Sequence, residues 1–207
     1  MSTTESPMPR VLIVGAGPAG LALAIELGHR NIPCLLVERN DRVGYAPRAK
    51  TTHIRTREHM RRWGIAHELA AASPLGVDYP SDVAFVTRLS GYALSRFENA
   101  FNCSPQRNPL YAEHAQWIPQ YTLEEVLRRH AQSLPNVELR FNCRHLSFEQ
   151  DGDRVLSRLC NADGSGECVV ETEYLVGADG SRSRIREAIG ATMQGQRDLS
   201  RNYNIIF

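Results

Sequence analysis

Val11-Leu12-Ile13-Val14 runs directly into Gly15-Ala16-Gly17-Pro18-Ala19-Gly20, and this pattern is more informative than any other part of the chain. Its uninterrupted apolar residues predict a strand over Pro9–Val14, as in a parallel sheet covered on both faces. The next six residues form a G-x-G-x-x-G. In this pattern the first glycine makes a tight turn, the second admits a pyrophosphate and the third lets a helix pack on the strand.

The residues that follow complete a strand–helix–strand unit. Apolar residues at helical spacing predict a helix over Pro18–Arg30, whose N-terminus would attract an anion. Cys34–Val37 is predicted to form the next strand, and Glu38 follows it, 18 residues after Gly20. A carboxylate there can accept hydrogen bonds from an adenosine ribose and would repel a 2′-phosphate, which favours FAD or NAD over NADP. A parallel α/β protein with a tight turn and no ligand remains the alternative.

Composition and charge exclude several other classes of protein. The chain has 207 residues and a net charge of +1, so it lacks the excess of positive charge expected of nucleic-acid or acidic-membrane binding. Five cysteines without a C-x-x-C pair argue against a disulfide framework and favour a reducing, cytoplasmic location. The apolar stretch Val11–Ile25 is too short and too glycine-rich to span a membrane. A signal peptide that includes Arg10 is a less favoured alternative.

Further elements are predicted along the rest of the chain. A helix is expected over Thr52–Gly64, a hairpin over Val83–Phe97, and a helix opened by a capping box at Thr122–Glu125. Short strands are expected at Val137–Cys143, His145–Glu149, Arg154–Cys160, Glu167–Glu171 and Tyr174–Val176. The last strand leads into Gly177-Ala178-Asp179-Gly180 and a basic helix at Ser183–Ile189. No G-x-S-x-G or H-E-x-x-H motif is present, so a bound organic cofactor is expected to carry the chemistry.

With these motifs, the chain resembles the single-component FAD-dependent aromatic hydroxylases of the p-hydroxybenzoate hydroxylase type. The resemblance rests on four segments of the sequence, which are VLIVGAGPAGLALAIELGHRNIPCLLVER, the Pro47-Arg48-Ala49 loop followed by RTREHMRRWGI, IPQYTLEEVLRRHA, and YLVGADGSRSRIREAIG. Many FAD and NAD proteins share the first segment. The last segment is far more specific to this group of hydroxylases.

The resemblance implies roles for particular residues in binding FAD. The glycine turn and its neighbours would cradle the pyrophosphate, and these residues are Gly15, Ala16, Gly17, Pro18, Ala19 and Gly20. Glu38 would hold the adenosine ribose. The remaining implied contacts are Arg39 and the Leu146 backbone near the adenine, Arg48 near the phosphates, Gln120 at the ribityl chain, and Asp179 and Gly180 over the ribityl and pyrophosphate. For Asp179 and Gly180 an ordinary turn is the alternative interpretation.

The resemblance also implies the fold class and the domain organisation. It implies an α/β fold with a Rossmann-like FAD-binding domain, a parallel sheet, an inserted β-meander and part of a mixed-sheet substrate domain. Residues 1–74 and 101–190 would form the FAD-binding domain, 75–100 a hairpin of the substrate domain, and 191–207 the start of a further substrate-domain segment. The family has another cofactor motif, containing Gly-Asp, downstream of these segments. The sequence is therefore expected to be an N-terminal fragment.

The implied reaction is hydroxylation of a phenolic or other aromatic substrate with O₂ and either NADPH or NADH. Two alternatives remain open, which are an FAD-dependent oxidase or reductase of the same fold and a non-catalytic fragment. The arginine-rich helix near residue 60 is a poor candidate for binding nucleic acid, because stacking aromatic residues do not alternate with its arginines. The sequence identifies neither a catalytic acid or base nor an oligomeric state.

Overall fold

The computed structural model describes residues 8–41, 49–196 and 199–200. The strands in this part of the chain are β1 (Val11–Val14), β2 (Cys34–Val37), β3 (Thr51–Thr52), β4 (Val83–Val86), β5 (Ala93–Phe97), β6 (Gln116–Trp117), β7 (Val137–Arg140), β8 (Cys143–Asp151), β9 (Arg154–Asn161), β10 (Cys168–Thr172) and β11 (Tyr174–Gly177). The helices are α1 (Pro18–His29), α2 (Ile54–Arg62), α3 (Ala66–Ala72), α4 (Gln120–Ser133) and α5 (Arg184–Ala188). None of the helices in these ranges has the length and hydrophobicity needed to cross a bilayer.

The central sheet is parallel and has the strand order β11-β1-β2-β7. Leu12 of β1 lies between Leu35 of β2 and Leu175 of β11. The predicted unit of strand, helix and strand is confirmed, with β2 at the expected residues. Helix α1 ends at His29, and Asn31 then takes a left-handed conformation with φ 57°, which the helix cannot continue through.

Both faces of this sheet are covered, which explains the uninterrupted apolar residues of β1 and β2. On one face, Ile13 and Leu36 pack with α1 and α4. On the other, Leu12 and Leu35 pack against Leu159 of β9. Strands β10-β9-β8 form an antiparallel three-stranded sheet, which is the β-meander predicted from the sequence. The protein therefore has the α/β class expected, with the parallel sheet between helices and the meander.

Two helix predictions are partly wrong. Thr51 and Thr52 pair with β6, so the helix predicted over Thr52–Gly64 begins only at Ile54. The next helix, α3, was not predicted at all. The capping box at Thr122–Glu125 is not formed, because α4 already begins at Gln120 with Pro119 at its N-cap.

In the part of the chain that the structure describes, the β4–β5 hairpin forms a separate two-stranded sheet that pairs with no strand of the parallel sheet. The hairpin predicted over Val83–Phe97 is confirmed. Phe85 and Phe97 contact each other edge to face, with ring centroids 5.8 Å apart, yet both side chains are more than half exposed. An apolar surface of this kind is typical of a face that another part of a protein covers.

Glu26 of α1 connects this helix to α2 through a partly buried carboxylate. Its Oε2 accepts hydrogen bonds from Trp63 Nε1 at 2.9 Å and from Arg62 at 2.5 Å, and Oε1 accepts one from Arg30 at 2.9 Å. These donors, Trp63 first, lower the pKa of Glu26 from 4.5 to about 2. The charged carboxylate therefore stabilises the packing of α1 on α2.

Glu26→Gln is expected to reduce the free energy of unfolding at neutral pH by about 1 kcal/mol. Because the folded pKa lies below the unfolded one, this contribution is complete above pH 4.5 and is lost as the pH falls toward 2. Urea unfolding of both proteins, from neutral pH down to the acid limit of folding, measures the difference. A difference that does not shrink with acidification would contradict this assignment.

Candidate cofactor site

The turn after β1 brings three segments of backbone into contact. Gly15 has φ 109°, and a Cβ at this position would lie 2.4 Å from the carbonyl oxygen of Ala178. The Gly15 N–H donates to the carbonyl of Val37 at 2.8 Å, and the Ala178 N–H donates to that of Val14 at 2.8 Å. Glycine is therefore required at position 15 by both conformation and space.

Gly20 lets α1 approach this turn closely. A Cβ at Gly20 would lie 1.9 Å from the carbonyl oxygen of Gly15 and 3.3 Å from the Ala178 Cβ. Position 20 thus has the packing role that the sequence predicts for the third glycine of the pattern.

Gly17 differs from the other two glycines because the space around it is open. It is the N-cap of α1, with φ −69° and ψ 177°, and a Cβ there would meet no atom of the described residues within 4 Å. Pro18 is the first helical residue and Ala19 is exposed. The backbone N–H groups of the first helical turn have no intrahelical acceptor, and they lie beside this open space. An anion such as a diphosphate can approach the helix N-terminus here without displacing a side chain.

Glu38 follows β2, and its carboxylate points toward the glycine turn. Its Oε2 accepts a hydrogen bond from the Ala16 N–H at 3.0 Å. Its Oε1 accepts two, from the Asn40 N–H at 3.0 Å and from Asn40 Nδ2 at 2.9 Å. The acid and the glycine turn, predicted from separate parts of the sequence, are in direct contact.

The other residues predicted to bind FAD lie in different surroundings. Arg39 is exposed beside Glu38, whereas Arg48 lies outside the described residues. The Gln120 N–H donates to the carbonyl of Ala49 at 3.0 Å, so Gln120 lies next to Ala49. Its side-chain amide donates to Glu124 at 2.7 Å. Leu146 falls at a β-bulge, where it has no partner in the β8–β9 register.

Asp179 binds the start of α5. Its Oδ1 accepts a hydrogen bond from the Ser183 hydroxyl at 2.5 Å, and its Oδ2 accepts the N–H groups of Arg184 at 2.7 Å and Ile185 at 3.4 Å. Partial burial raises the pKa of Asp179, but these hydrogen bonds outweigh it and hold the pKa below its usual value. Gly180 follows with φ 84°, a conformation that favours glycine. The Asp179 carboxylate thus fixes the turn that packs on Gly15.

Sequence reasoning missed two participants in this site. One is Ala178, whose carbonyl oxygen limits the space at Gly15, and no local pattern reveals such a contact. The other is Asn40, which holds the Glu38 carboxylate. Asn residues commonly form hydrogen bonds within two residues of themselves, so its position after a candidate ligand was a usable signal.

These elements meet at the carboxyl edge of the parallel sheet. The chain leaves β1 through α1 toward β2 on one side, while β11 lies on the other side of β1. Ligands of open α/β sheets bind at such a switch point, outside the carboxyl ends of the strands. The fold and the site define a dinucleotide-binding protein of the Rossmann type.

The sequence comparison specifies the class further. Residues 8–207 match a family model described as FAD binding domain, and the chain belongs to this FAD-binding family. Aklavinone 12-hydroxylase DnrF of Streptomyces peucetius is 35% identical over 206 residues, covering 95% of this chain and 40% of that protein. A 4-methyl-5-nitrocatechol 5-monooxygenase of a Burkholderia species is 33% identical over 202 residues, covering 95% of this chain and 35% of that protein. The chain thus spans two fifths or less of the length of these two relatives.

Solved structures agree with the sequence relatives. The flavin-dependent monooxygenase PieE, in complex with FAD and substrate, matches 91% of this chain with a TM-score of 0.80 and 33% identity. Aklavinone-11 hydroxylase, in a ternary complex with FAD and aklavinone, matches 91% with a TM-score of 0.75 and 30% identity. This chain covers 33% and 36% of those two chains, respectively. These matches confirm the family resemblance and the fold class predicted from the sequence.

Proposed function

We propose that this chain is the FAD-binding part of a monooxygenase that hydroxylates phenolic or other aromatic substrates with O₂ and NADPH or NADH. The observation that carries the proposal is the open space at Gly17, bordered by the α1 N-terminus and by the contact between Glu38 and Ala16. Relatives named as hydroxylases and monooxygenases support the reaction class. FAD would supply the electron transfer and the activation of O₂.

In this proposal each part of the site binds one part of the cofactor. The first turn of α1 receives the diphosphate, because its N–H groups and the helix dipole both favour negative charge. Glu38 accepts a hydrogen bond from the adenosine ribose, and Arg39 and the Leu146 backbone border the adenine. Gln120 and Arg48 contact the ribityl chain and the phosphates. Asp179 and Gly180 form the opposite wall of the crevice.

Substrate binding would fall to other parts of the chain. We propose that residues 75–100 and 191–207 belong to a substrate domain, while residues 1–74 and 101–190 form the FAD-binding domain. The hairpin supports this division, because among the described strands it pairs with none of the parallel sheet, and it exposes apolar side chains. We also propose a cytoplasmic location, which the five unpaired cysteines support.

FAD titration of the 207-residue chain, followed by quenching of flavin fluorescence, tests the cofactor part of this proposal. Saturable binding is expected, and Glu38→Gln should weaken it about tenfold, because the neutral amide is a poorer acceptor for the ribose hydroxyl. Glu149→Gln, on an exposed position of β8, is the matched control and should bind FAD normally. Failure to bind FAD both by the 207-residue chain and by a longer protein with the full length of its relatives would refute the proposal.

The reaction itself is tested with a longer protein that contains this chain together with the remaining length found in its relatives. A monooxygenase should consume NAD(P)H and O₂ in the presence of phenols and return an oxygenated product. Consumption of NAD(P)H without oxygenated product would instead indicate an oxidase or reductase built on the same fold.

A further inference from the structure

We infer that Asn40 is a positioning residue that fixes the Glu38 carboxylate and thereby sets the selectivity of this site for a ribose 2′-hydroxyl. The inference rests on the proposed function, since it concerns how the site would recognise the adenosine half of FAD. It extends that function to a residue that touches Glu38 but is not itself expected to touch the cofactor.

The Glu38 carboxylate has a limited hydrogen-bond capacity. An ionised carboxylate offers about four acceptor positions. Asn40 fills Oε1 with two donors, its backbone N–H at 3.0 Å and its Nδ2 at 2.9 Å. Oε2 receives the Ala16 N–H at 3.0 Å and no other donor from the described residues. One acceptor position therefore remains, on the oxygen nearer the glycine turn, and it suits a single hydroxyl donor.

The backbone that carries Asn40 is held in place by hydrogen bonds to other elements. The Asn40 carbonyl accepts the N–H of Asn142 at 3.3 Å. Glu38 pairs with the same turn through two backbone hydrogen bonds of 2.9 Å, one to the Arg140 carbonyl and one from the Cys143 N–H. Arg128 of α4 donates to the carbonyl of Asp41 at 3.2 Å. Residues 38–41 are thus held by the β7–β8 turn and by α4. The Asn40 amide therefore has a fixed position relative to Glu38.

The hydrogen bonds from Asn40 to Glu38 affect how the site recognises a ribose hydroxyl. A free glutamate side chain samples several rotamers, and binding a hydroxyl would require it to give up that freedom. With Asn40 holding Oε1, the carboxylate is already oriented, and Oε2 faces the crevice. Preorganisation of this kind increases affinity for a ligand that carries the hydroxyl and does little for one that lacks it.

ADP and 2′-deoxy-ADP are the probes that isolate this contact, because they differ only in the hydroxyl. Their dissociation constants for the 207-residue chain are measured by calorimetry. The wild-type chain is expected to prefer ADP by roughly tenfold, as for one hydrogen bond to a charged group. Asn40→Ala should reduce this preference to about twofold, mainly by weakening ADP binding, and Asn40→Asp should abolish it through repulsion between two carboxylates.

Asn136→Ala is the matched control. Asn136 also donates an amide hydrogen bond, from Nδ2 to the carbonyl of Gly28 at 3.1 Å, but it precedes β7 at the opposite edge of the sheet. Its substitution should leave the preference for ADP unchanged. A variant that is merely destabilised would bind both nucleotides equally less tightly. The ratio of the two dissociation constants therefore separates an effect on positioning from an effect on folding.

The outcomes distinguish this inference from the proposed function. An unchanged ratio in Asn40→Ala, or a wild-type chain that binds FAD without preferring ADP over 2′-deoxy-ADP, overturns the role of Asn40 and leaves FAD binding intact. A wild-type protein that binds neither FAD nor ADP, as the 207-residue chain and within a protein of the full length of its relatives, overturns both.

Discussion

Gly20→Ala is expected to reduce the free energy of unfolding by about 3 kcal/mol. In an exposed helix the same change would stabilise the protein by about 1 kcal/mol, because alanine has the higher helix propensity. Here the added Cβ would lie 1.9 Å from the Gly15 carbonyl oxygen. That oxygen belongs to backbone with φ 109°, which cannot move without disturbing its contact with Ala178. The steric cost therefore exceeds the propensity gain.

Urea unfolding measures this loss, and Gly28→Ala in the same helix is the matched control. The three nearest atoms to a Cβ at Gly28 would belong to side chains, Leu134 Cδ1 and Val137 Cγ2 at 2.7 Å and Leu134 Cβ at 3.4 Å. The end of the Leu134 side chain can rotate away and Val137 can shift slightly, whereas the Gly15 carbonyl is part of the backbone, so the control should lose clearly less stability than Gly20→Ala. Equal stability of the two variants would show that α1 can shift away from the turn at little cost.

The Gly20 contact also shows why part of this site could be predicted from sequence. Strand β1, the glycine turn, α1 and β2 are consecutive, and each has a local signal in its periodicity or its glycines. The position of Glu38 follows, because parallel neighbouring strands end at the same edge of the sheet. The sequence therefore predicts which residues meet at this edge.

The errors lie where tertiary contacts override local signals. Thr122 is a favourable capping residue by type, but β6 ends at Trp117, only two residues before Pro119, and the Gln120 N–H already donates a hydrogen bond to the carbonyl of Ala49. The helix can therefore begin three residues earlier than the capping box predicts, with Pro119 rather than Thr122 as its N-cap. Helix α3 is only seven residues long, and it depends on burial of Leu69 rather than on a long apolar repeat. Neither contact with another element is visible in local periodicity.

The position of the Glu38 carboxylate depends on contacts that are local in sequence and on contacts that are distant in sequence. The hydrogen bonds from Asn40 span two residues and match the habits of asparagine in turns. Their orientation depends on Asn142 and Arg128, which are distant in sequence and are brought to residues 38–41 by β7 and α4. The sequence can therefore indicate that Asn40 forms a hydrogen bond with Glu38, whereas the orientation of the Asn40 side chain depends on the fold.

Gly17→Thr is expected to weaken FAD binding about 100-fold while changing the free energy of unfolding by less than about 0.5 kcal/mol. Threonine and glycine are similarly favourable N-caps, and φ −69° with ψ 177° is open to any residue, so the fold should tolerate the change. The affinity falls for two reasons. The side chain would occupy the open space in front of α1, and its hydroxyl would accept the N–H groups that a diphosphate requires.

Gly17→Ala makes this prediction a strict test, because it separates stability from affinity. Alanine is a poor N-cap, so this variant should lose about 1 kcal/mol of stability, more than the threonine variant. It adds one carbon and no acceptor, so its FAD affinity should fall only about tenfold. The order of stability is then glycine and threonine above alanine, whereas the order of affinity is glycine, alanine, threonine. Affinities that follow the order of stability would mean that Gly17 acts through the fold, and the diphosphate would have to bind elsewhere.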